Sequence, residues 1–556
     1  MEKRTPMIRR VVLVGLSGTG KSSVGREVAT RLEWDLIDTD REIEHRTGQS
    51  IPDIFHRDGE PAFRELEHSV LRDALLRERS VIATGGGAVV DPGIWSIELL
   101  GSPETLVIWL DADPVTLVGR LRAQSTEEGA AADRPLLADG DPVTRITSMR
   151  ANRIDSYSRS DLALDVSGQT VLAIAADVAE LVRFGRCEEV QFNLNVDTAQ
   201  STIHVGLGSR FRAGTLIQTR WPMAKRIWVV VDANLEPHVQ TEIESLRTST
   251  AIPVVVAPVA AGESSKSMEG LEQLYDRMLA GGVERDDVVI AMGGGMVGDL
   301  AGFAAATVLR GISLVQMPST LLSMVDSSVG GKTGINHSTG KNLIGAFYQP
   351  SEVVIDPVLL RSLPERERRS GWAEIIKHAI IEASTPGGAP PMLWGVLERN
   401  VTALGNIENP ITPWVIRRNV SLKASVVEAD EREAGIRSIL NFGHTIGHGI
   451  EAAGYALLHG EAVAVGMCAG LFIARELDLI DGTFESRIVS LIEAFGLPVR
   501  ADVDPHLVHQ KMARDKKKLA GKQGWVLPVR SGGVTISTDV PAELVHRAVL
   551  SVTSEE

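Results

Sequence analysis

At 556 residues the chain exceeds what one hydrophobic core holds, so roughly two to four folding units are expected. Its net charge of -15 gives bulk electrostatics no reason to attract nucleic acid, and any phosphorylated ligand has to be held by local groups of cations. Two cysteines, Cys187 and Cys468, in no paired spacing and no apolar run of membrane length argue against disulfide stapling and a membrane span, so a soluble cytoplasmic protein is the expectation.

The first signal is a short β-branched run at residues 11–14, the mark of a buried parallel strand, which leads into Gly15-Leu-Ser-Gly-Thr-Gly-Lys-Ser22. This is a complete phosphate-binding loop between a strand and a helix. Gly15, Gly18, Thr19, Gly20 and Ser23 belong to the backbone cradle for ATP, Lys21 reaches the β and γ oxygens, and Ser22 ligates magnesium. Residues 36–40 read as a second short strand ending in two carboxylates, Asp38 and Asp40. Phe63-Arg-Glu-Leu-Glu67 reads as helix, and residues 81–87 as a strand entering the triple glycine Gly85-Gly86-Gly87. Singly these are surface acids, a helical Arg/Glu pair and a flexible turn. Together they suit a small polyhydroxy acid, with Arg64 gripping its carboxylate and Asp40 orienting or deprotonating a hydroxyl.

With Arg134-Pro-Leu-Leu and Arg153 beside Tyr157, this order of motifs resembles shikimate kinase. The resemblance implies a P-loop domain over residues 1–187 that phosphorylates the shikimate 3-hydroxyl with ATP and Mg2+. It implies shikimate on Asp40, Arg64, Gly86, Gly87 and Arg153, with Asp40 and Lys21 catalytic, Arg134 closing as a lid on ATP and Arg120 near the adenine. The lid stretch, residues 123–133, departs from the family pattern in being long with an acidic, Ala/Gly-rich centre.

A closing helix at 171–184 and a new strand at 190–196 put a domain boundary near 186–192. Strands follow at 226–234, ending in Asp232 and Asn234, and at 253–256, before Gly262-Glu-Ser-Ser-Lys266. Residues 287–299 read as strand, glycine turn and helix, a Rossmann-like dinucleotide-binding pattern without the strict G-x-G-x-x-G spacing; a tight βα turn would look the same. Further strands at 312–320 and 352–357 make residues 188–358 an α/β half. The stretch 325–342, with Asp326, Gly330-Gly331, Lys332, Lys341 and Asn342, reads as a non-core segment carrying phosphate-handling groups, or as a plain solvated loop.

From residue 359 to 556 helical periodicity takes over and an all-helical half is expected. Glu374, Lys377 and His378 sit within one turn, Asn441, His444 and His448 on one stripe, and His459-Gly-Glu461 follows. Glutamate and histidines so grouped suit zinc, and the histidine pair alone does not say which member binds it. This second part is similar to 3-dehydroquinate synthase. The resemblance implies NAD at Asp232, Asn234, Glu263, Lys266, Gly294, Gly295, Asp299, Ser319, Thr320 and Lys341, and zinc or cobalt at Glu374, His444 and His459. It implies 3-deoxy-D-arabino-heptulosonate 7-phosphate at Arg310, Asp326, Lys332, Asn342, Lys377, Lys423, Arg437, Asn441, His448 and a lysine of residues 516–518, with Lys516 favoured. Lys377, Glu433 and His448 would be catalytic, and NAD would be recycled as 3-dehydroquinate and phosphate form.

The second part's layout also resembles glycerol dehydrogenase, so a small-molecule kinase fused to an NAD- and metal-dependent polyol dehydrogenase is the alternative. Lys332 and Lys341 speak against it, because a neutral polyol needs no phosphate clamp. A binding protein without turnover is disfavoured by the intact Lys21, Asp40 and Lys377. Partners are expected to be small molecules, with no nucleic acid, no membrane and homodimerisation through the synthase part.

Overall fold

The computed structural model describes residues 7–128, 141–387, 392–454, 456–516 and 524–553. The chain divides into two compact units, Met1–Glu188 with Glu398–Ile411, and Glu189–Leu397 with Thr412–Glu556. The two later halves expected from the sequence lie in the second unit, and the segment 398–411 groups with the first.

The first unit is built on a parallel sheet of β1 (Arg10–Val14), β2 (Asp35–Asp38), β3 (Ser80–Ala83), β4 (Thr105–Asp111) and β5 (Leu162–Asp165), in the order β2-β3-β1-β4-β5. Val11, Val12, Leu13 and Val14 are fully buried, as a central strand covered on both faces requires. Because β1 pairs with β3 on one side and β4 on the other, the chain order reverses at β1, and a crevice opens beyond its carboxyl end. The second strand ends two residues earlier than read. The Asp38 side chain accepts the Arg41 amide at 3.3 Å and starts the helix Thr39–Thr47, so Asp40 lies in that helix's first turn. The helix Ile51–Leu75 is broken at Gly59 (φ 80°), which sets Arg64 and Glu67 on its second segment.

The second unit holds β6 (Val190–Val196), β7 (Ala199–Val205), β8 (Ile227–Asp232), β9 (Val254–Val259), β10 (Val288–Gly293), β11 (Ser313–Pro318), β12 (Lys332–His337), β13 (Gly340–Phe347) and β14 (Glu352–Ile355). Seven of these form a sheet in the order β6-β7-β14-β11-β10-β8-β9, parallel except for the β6–β7 pair. Residues 325–342 are not the non-core segment expected. They run from a π-helical turn, Ser323–Ser327, into the antiparallel hairpin β12–β13. Met324, Val325, Val329 and Ile335 are buried, and Ile335 packs in the core with Val297, Leu300 and Ala301. The density of glycine and lysine hid this apolar spacing.

The remaining part is helical but not wholly so, because β15 (Trp525–Pro528) and β16 (Val534–Ser537) form a hairpin. The helix Glu365–Ile381 is buried continuously from Ser370 onward. Among the described residues no helix is long and apolar enough to cross a membrane.

A buried ion cluster ties β6, β7 and β14. His204 places Nδ1 2.8 Å from Glu189 Oε1 and Nε2 2.7 Å from Glu352 Oε2, and Arg220 also reaches Glu352. Burial opposes the imidazolium, but hydrogen bonds to Glu189 and Glu352 outweigh it and raise His204 to about 9. The stabilisation is therefore complete below the unfolded value of about 6.5 and is lost as pH rises through 9. Calorimetry from about pH 7 to about pH 10 should show the second unit's melting temperature falling more steeply in the native chain than in His204→Gln; parallel curves would contradict this.

Candidate active sites

In the first unit the phosphate loop requires its glycines. Gly15, Gly18 and Gly20 have φ of 142°, 89° and 88°, and a Cβ on Gly15 would stand 2.3 Å from the Leu110 carbonyl oxygen. Thr19 Oγ1 donates to Leu16 O at 2.9 Å, and Ser22 and Ser23 are exposed in the first turn of the helix Lys21–Leu32. Lys21 is folded back on the loop, donating to Gly15 O at 2.8 Å and Leu16 O at 3.0 Å. Burial lowers it to about 8, against the pull of Asp40 and Asp38.

Beyond the loop, the carboxyl ends of β2 and β3 open on a basin. Its acids are Asp40 and Glu67, whose Oδ1 and Oε1 are buried without a hydrogen-bond partner. A Cβ on Gly85 would lie 2.3 Å from Glu67 Oε1 and 2.8 Å from Asp40 Oδ1, and one on Gly87 would lie 2.3 Å from Arg64 Nη1. Only glycines leave these groups room. Arg64 Nη1 donates to Glu67 Oε2 at 2.6 Å, and its other arm to Glu60 at 3.0 Å. From the helix Pro142–Tyr157, Arg153 Nη1 at 2.7 Å and Tyr157 Oη at 2.6 Å both donate to Gly86 O. Burial pushes Asp40 up to about 6 although Lys21 opposes it. Glu67 is the group the sequence reading left out. An Arg/Glu pair three apart on a helix reads as surface, and only the glycine turn of the neighbouring strand buries it. Arg120 donates to Val166 O at 2.7 Å and Gln169 O at 3.2 Å, bracing the loop after β5. Arg134 lies outside the described residues.

In the second unit β10 ends at Gly293, Gly294 precedes the helix Gly295–Thr307, and Asp299 lies one turn into that helix. A Cβ on Gly294 would meet Thr320 Cγ2 at 3.1 Å, one on Gly295 would meet Ser327 Oγ at 3.1 Å, and the Ser319 amide donates to Gly293 O at 2.9 Å, so Ser319, Thr320 and Ser327 line the same turn. Lys266 bridges Asp299 and Asn342; Asn336 accepts the Asn342 amide at 2.9 Å and donates to Glu263 Oε1 at 2.8 Å. Burial raises Asp299 although Lys266 opposes it. Asp232 closes its own turn at the end of β8 by accepting the Asn234 amide at 2.7 Å.

The metal-type residues converge from three helices. Glu374 is fully buried on the helix Glu365–Ile381, while His444 and His459 each open a helix, His444–Ala453 and His459–Glu476. Glu374 Oε1 is a buried oxygen without a hydrogen-bond partner, 3.4 Å from His444 Nε2 and 3.6 Å from His459 Nε2. One ligand atom from each of the three lies within 4.8 Å of the other two, so an oxygen and two imidazole nitrogens fit a zinc- or cobalt-type cation. Lys377 holds the other Glu374 oxygen, and Glu374 is kept well below the usual carboxylate range because Lys377 and the two histidines outweigh its burial. Burial lowers His444 to about 3. His459 is raised to about 10, its burial overcome by Glu374 and Glu451, and a cation binding there displaces that proton. Glu451 was not singled out from the sequence, although it lies three residues after His448 on one helix; it holds His459 Nδ1 at 3.1 Å and pairs with Lys341 at 2.6 Å. Glu461 turns away, accepting the Leu458 amide at 2.9 Å and pairing with Arg366.

The predicted substrate groups divide into pairs around this cluster. Lys423 holds Asp326, and Lys332 holds Glu433, which also accepts from Asn441 at 3.3 Å. Arg437 reaches Gly330 O at 3.3 Å. Asn441 does not share a helix with His444 and His448 as expected: it ends the turn Ile436–Asn441, and Gly443 (φ 78°) intervenes. The His448 ring centre is 5.2 Å from that of His444. Arg310 lies on an exposed turn in left-handed backbone (φ 69°), and among the described residues its side chain makes no hydrogen bond or ion pair. Lys516 ends the helix Pro505–Lys516, with its side chain outside the described residues, as are residues 517 and 518.

Family models match the chain in the same order: shikimate kinase over residues 17–183, 3-dehydroquinate synthase N-terminal over 256–370 and 3-dehydroquinate synthase C-terminal over 371–518. The 3-dehydroquinate synthase of Symbiobacterium thermophilum is 42% identical over 351 residues, 62% of this chain and 95% of that protein. That of Desulforamulus reducens is 42% identical over 355 residues, 61% of this chain and 96% of that protein. Among solved structures, ValA, a 2-epi-5-epi-valiolone synthase from Streptomyces hygroscopicus subsp. jinggangensis with NAD+ and Zn2+ bound, aligns with a TM-score of 0.54 at 29% identity, covering 60% of this chain and 92% of that one. A 2-deoxy-scyllo-inosose synthase complexed with carbaglucose-6-phosphate, NAD+ and Co2+ aligns with a TM-score of 0.56 at 25% identity, covering 65% of this chain and 100% of that one. The chain belongs to the 3-dehydroquinate synthase family and carries a shikimate kinase domain ahead of the synthase, which makes it a bifunctional shikimate-pathway enzyme.

Proposed function

We propose that the first unit moves the γ-phosphoryl group of Mg2+-bound ATP to the shikimate 3-hydroxyl, and that the second converts 3-deoxy-D-arabino-heptulosonate 7-phosphate to 3-dehydroquinate and phosphate. The observation that carries the second assignment is the orphaned Glu374 Oε1 facing two imidazole nitrogens, with paired cations nearby. Bound zinc or cobalt and NAD would supply Lewis acidity and a reversible hydride acceptor.

The chain's own residues do the rest. Glu374, His444 and His459 are the metal ligands. Lys377 takes one Glu374 oxygen and so turns the other toward the cation. Glu451 takes His459 Nδ1–H and leaves Nε2 free to ligate, and Phe442 O does the same for His444 at 3.1 Å. Gly294 and Gly295 present the amides of a helix start to the NAD pyrophosphate, bordered by Ser319 and Thr320, with Glu263, Lys266, Asp299, Asp232 and Asn234 along the same sheet edge. Lys332, Arg437, Lys423, Asn342 and Asn441 hold the sugar phosphate, which takes over the place of Glu433 on Lys332. His448 and Lys377 handle protons at the ring, and pairing of two copies would run through this unit.

In the first unit Lys21 exchanges the loop carbonyls for the β and γ phosphates while Ser22 ligates magnesium. Arg64 and Arg153 take the acceptor's carboxylate, and Asp40, ionised at neutral pH, accepts the hydroxyl proton.

Two variants on one preparation test the assignment. His444→Ala should abolish phosphate release from the heptulosonate phosphate and the bound divalent metal while shikimate-dependent ADP formation persists. Lys21→Ala should do the reverse, and loss of both activities in either folded variant would contradict separate sites. Kinase kcat/KM should fall about tenfold per pH unit below about 6 as Asp40 protonates, and Asp40→Asn should lower kcat by about 10²–10⁴-fold at neutral pH. A flat profile from pH 5 to 8 would remove Asp40 from the base role.

A further inference from the structure

By chain order residues 398–411 lie inside the synthase, yet they belong to the first unit. Its strand β5 is an edge of the kinase sheet, where backbone groups lack a strand partner. Asn400, 2% exposed, fills that role with its side-chain amide. Its Oδ1 accepts the Ala163 amide at 2.8 Å, and its Nδ2 donates to the Ala163 carbonyl at 2.6 Å. Asn409 Nδ2 donates to Asp161 O at 3.1 Å, and Pro410 lies 3.2 Å from where a Cβ on Gly185 would stand.

Beside Asn400, Arg399 reaches two carboxylates, with Nε 3.0 Å from Asp111 Oδ2 and Nη1 3.0 Å from Asp165 Oδ2. Asp111 ends β4, its side chain 3% exposed, and Arg150 grips the same carboxylate at 3.0 and 2.6 Å. Arg150 belongs to the helix that carries Arg153 and Tyr157 to Gly86. Its guanidinium also lies 5.8 Å from the Trp109 ring centre, and Trp109 stacks on Tyr157 at 5.5 Å. One buried carboxylate is thus shared between a guanidinium from residues 398–411 and one from the helix that reaches the acceptor basin.

We propose that Arg399 and Asn400 are positioning residues of the kinase. Arg399, through Asp111 and Arg150, sets the register of the helix Pro142–Tyr157 and hence the seat of Arg153 and Tyr157 on Gly86; Asn400 closes the β5 edge. A buried carboxylate with two cationic partners has little freedom to rotate, and removing one partner leaves Arg150 to re-centre on it, moving the helix it belongs to. The inference rests on reading Gly86 and Arg153 as the shikimate side.

The test uses the full-length chain and its Arg399→Ala, Arg399→Lys, Asn400→Ala and Arg153→Ala variants. Arg399→Ala should raise the KM for shikimate about threefold to tenfold with kcat and synthase turnover within about twofold, and Arg399→Lys should recover part of it. In Asn400→Ala the Ala163 amide should exchange with solvent faster than in the native chain. An unchanged KM in Arg399→Ala, or a fall in kcat that only follows the folded fraction, overturns the proposal. If Arg153→Ala also leaves KM unchanged, the reading of the acceptor side fails; if it raises KM and Arg399→Ala does not, only the positioning role fails.

Discussion

A carboxylate sealed from water stays ionised only if cations come to it, and the second active site follows from that demand at Glu374. The helix supplies the first cation one turn away, Lys377, and this fixes which oxygen is used up. The other oxygen faces two imidazoles delivered by the first residues of two further helices. Each histidine is fixed at a helix start, with one ring nitrogen held by Phe442 O or Glu451 and the other facing the buried oxygen. Glu451 behind His459 completes the ligand set by deciding which ring nitrogen points inward.

The acceptor basin of the kinase unit solves the reverse problem of leaving space between groups that must stay close. Asp40 and Glu67 keep unpartnered oxygens there, and side chains on Gly85 or Gly87 would collide with Glu67 and Arg64. The triple glycine is therefore less a hinge than a set of missing methyl groups. The same crowding of acids in little water raises Asp40 toward the working range of a general base.

An acidic chain that handles phosphates has to reconcile the two, and the pairing pattern shows how. Lys266, Lys332, Lys341, Lys377 and Lys423 each rest on a carboxylate, Asp299, Glu433, Glu451, Glu374 and Asp326 respectively. Cations held this way stay ordered near one another without mutual repulsion.

The sequence by itself determined the local chemistry and the order of the parts: the phosphate loop, the triple glycines, the alternation of strand and helix, and the residue types of both sites. These signals lie within a turn or two of chain, where conformational preference and side-chain spacing are legible. The set Glu374, His444 and His459 was legible only through the family resemblance, since the residues alone left open which histidine joins it; that one ligand atom from each lies within 4.8 Å of the others is a matter of packing, as are the burial of Glu67 and the hairpin within 325–342. The return of residues 398–411 to the kinase sheet left no trace in the periodicity. Each of these depends on which distant surfaces meet, and a contact between segments far apart in the chain leaves no repeat in either one; only the packed tertiary structure decides it.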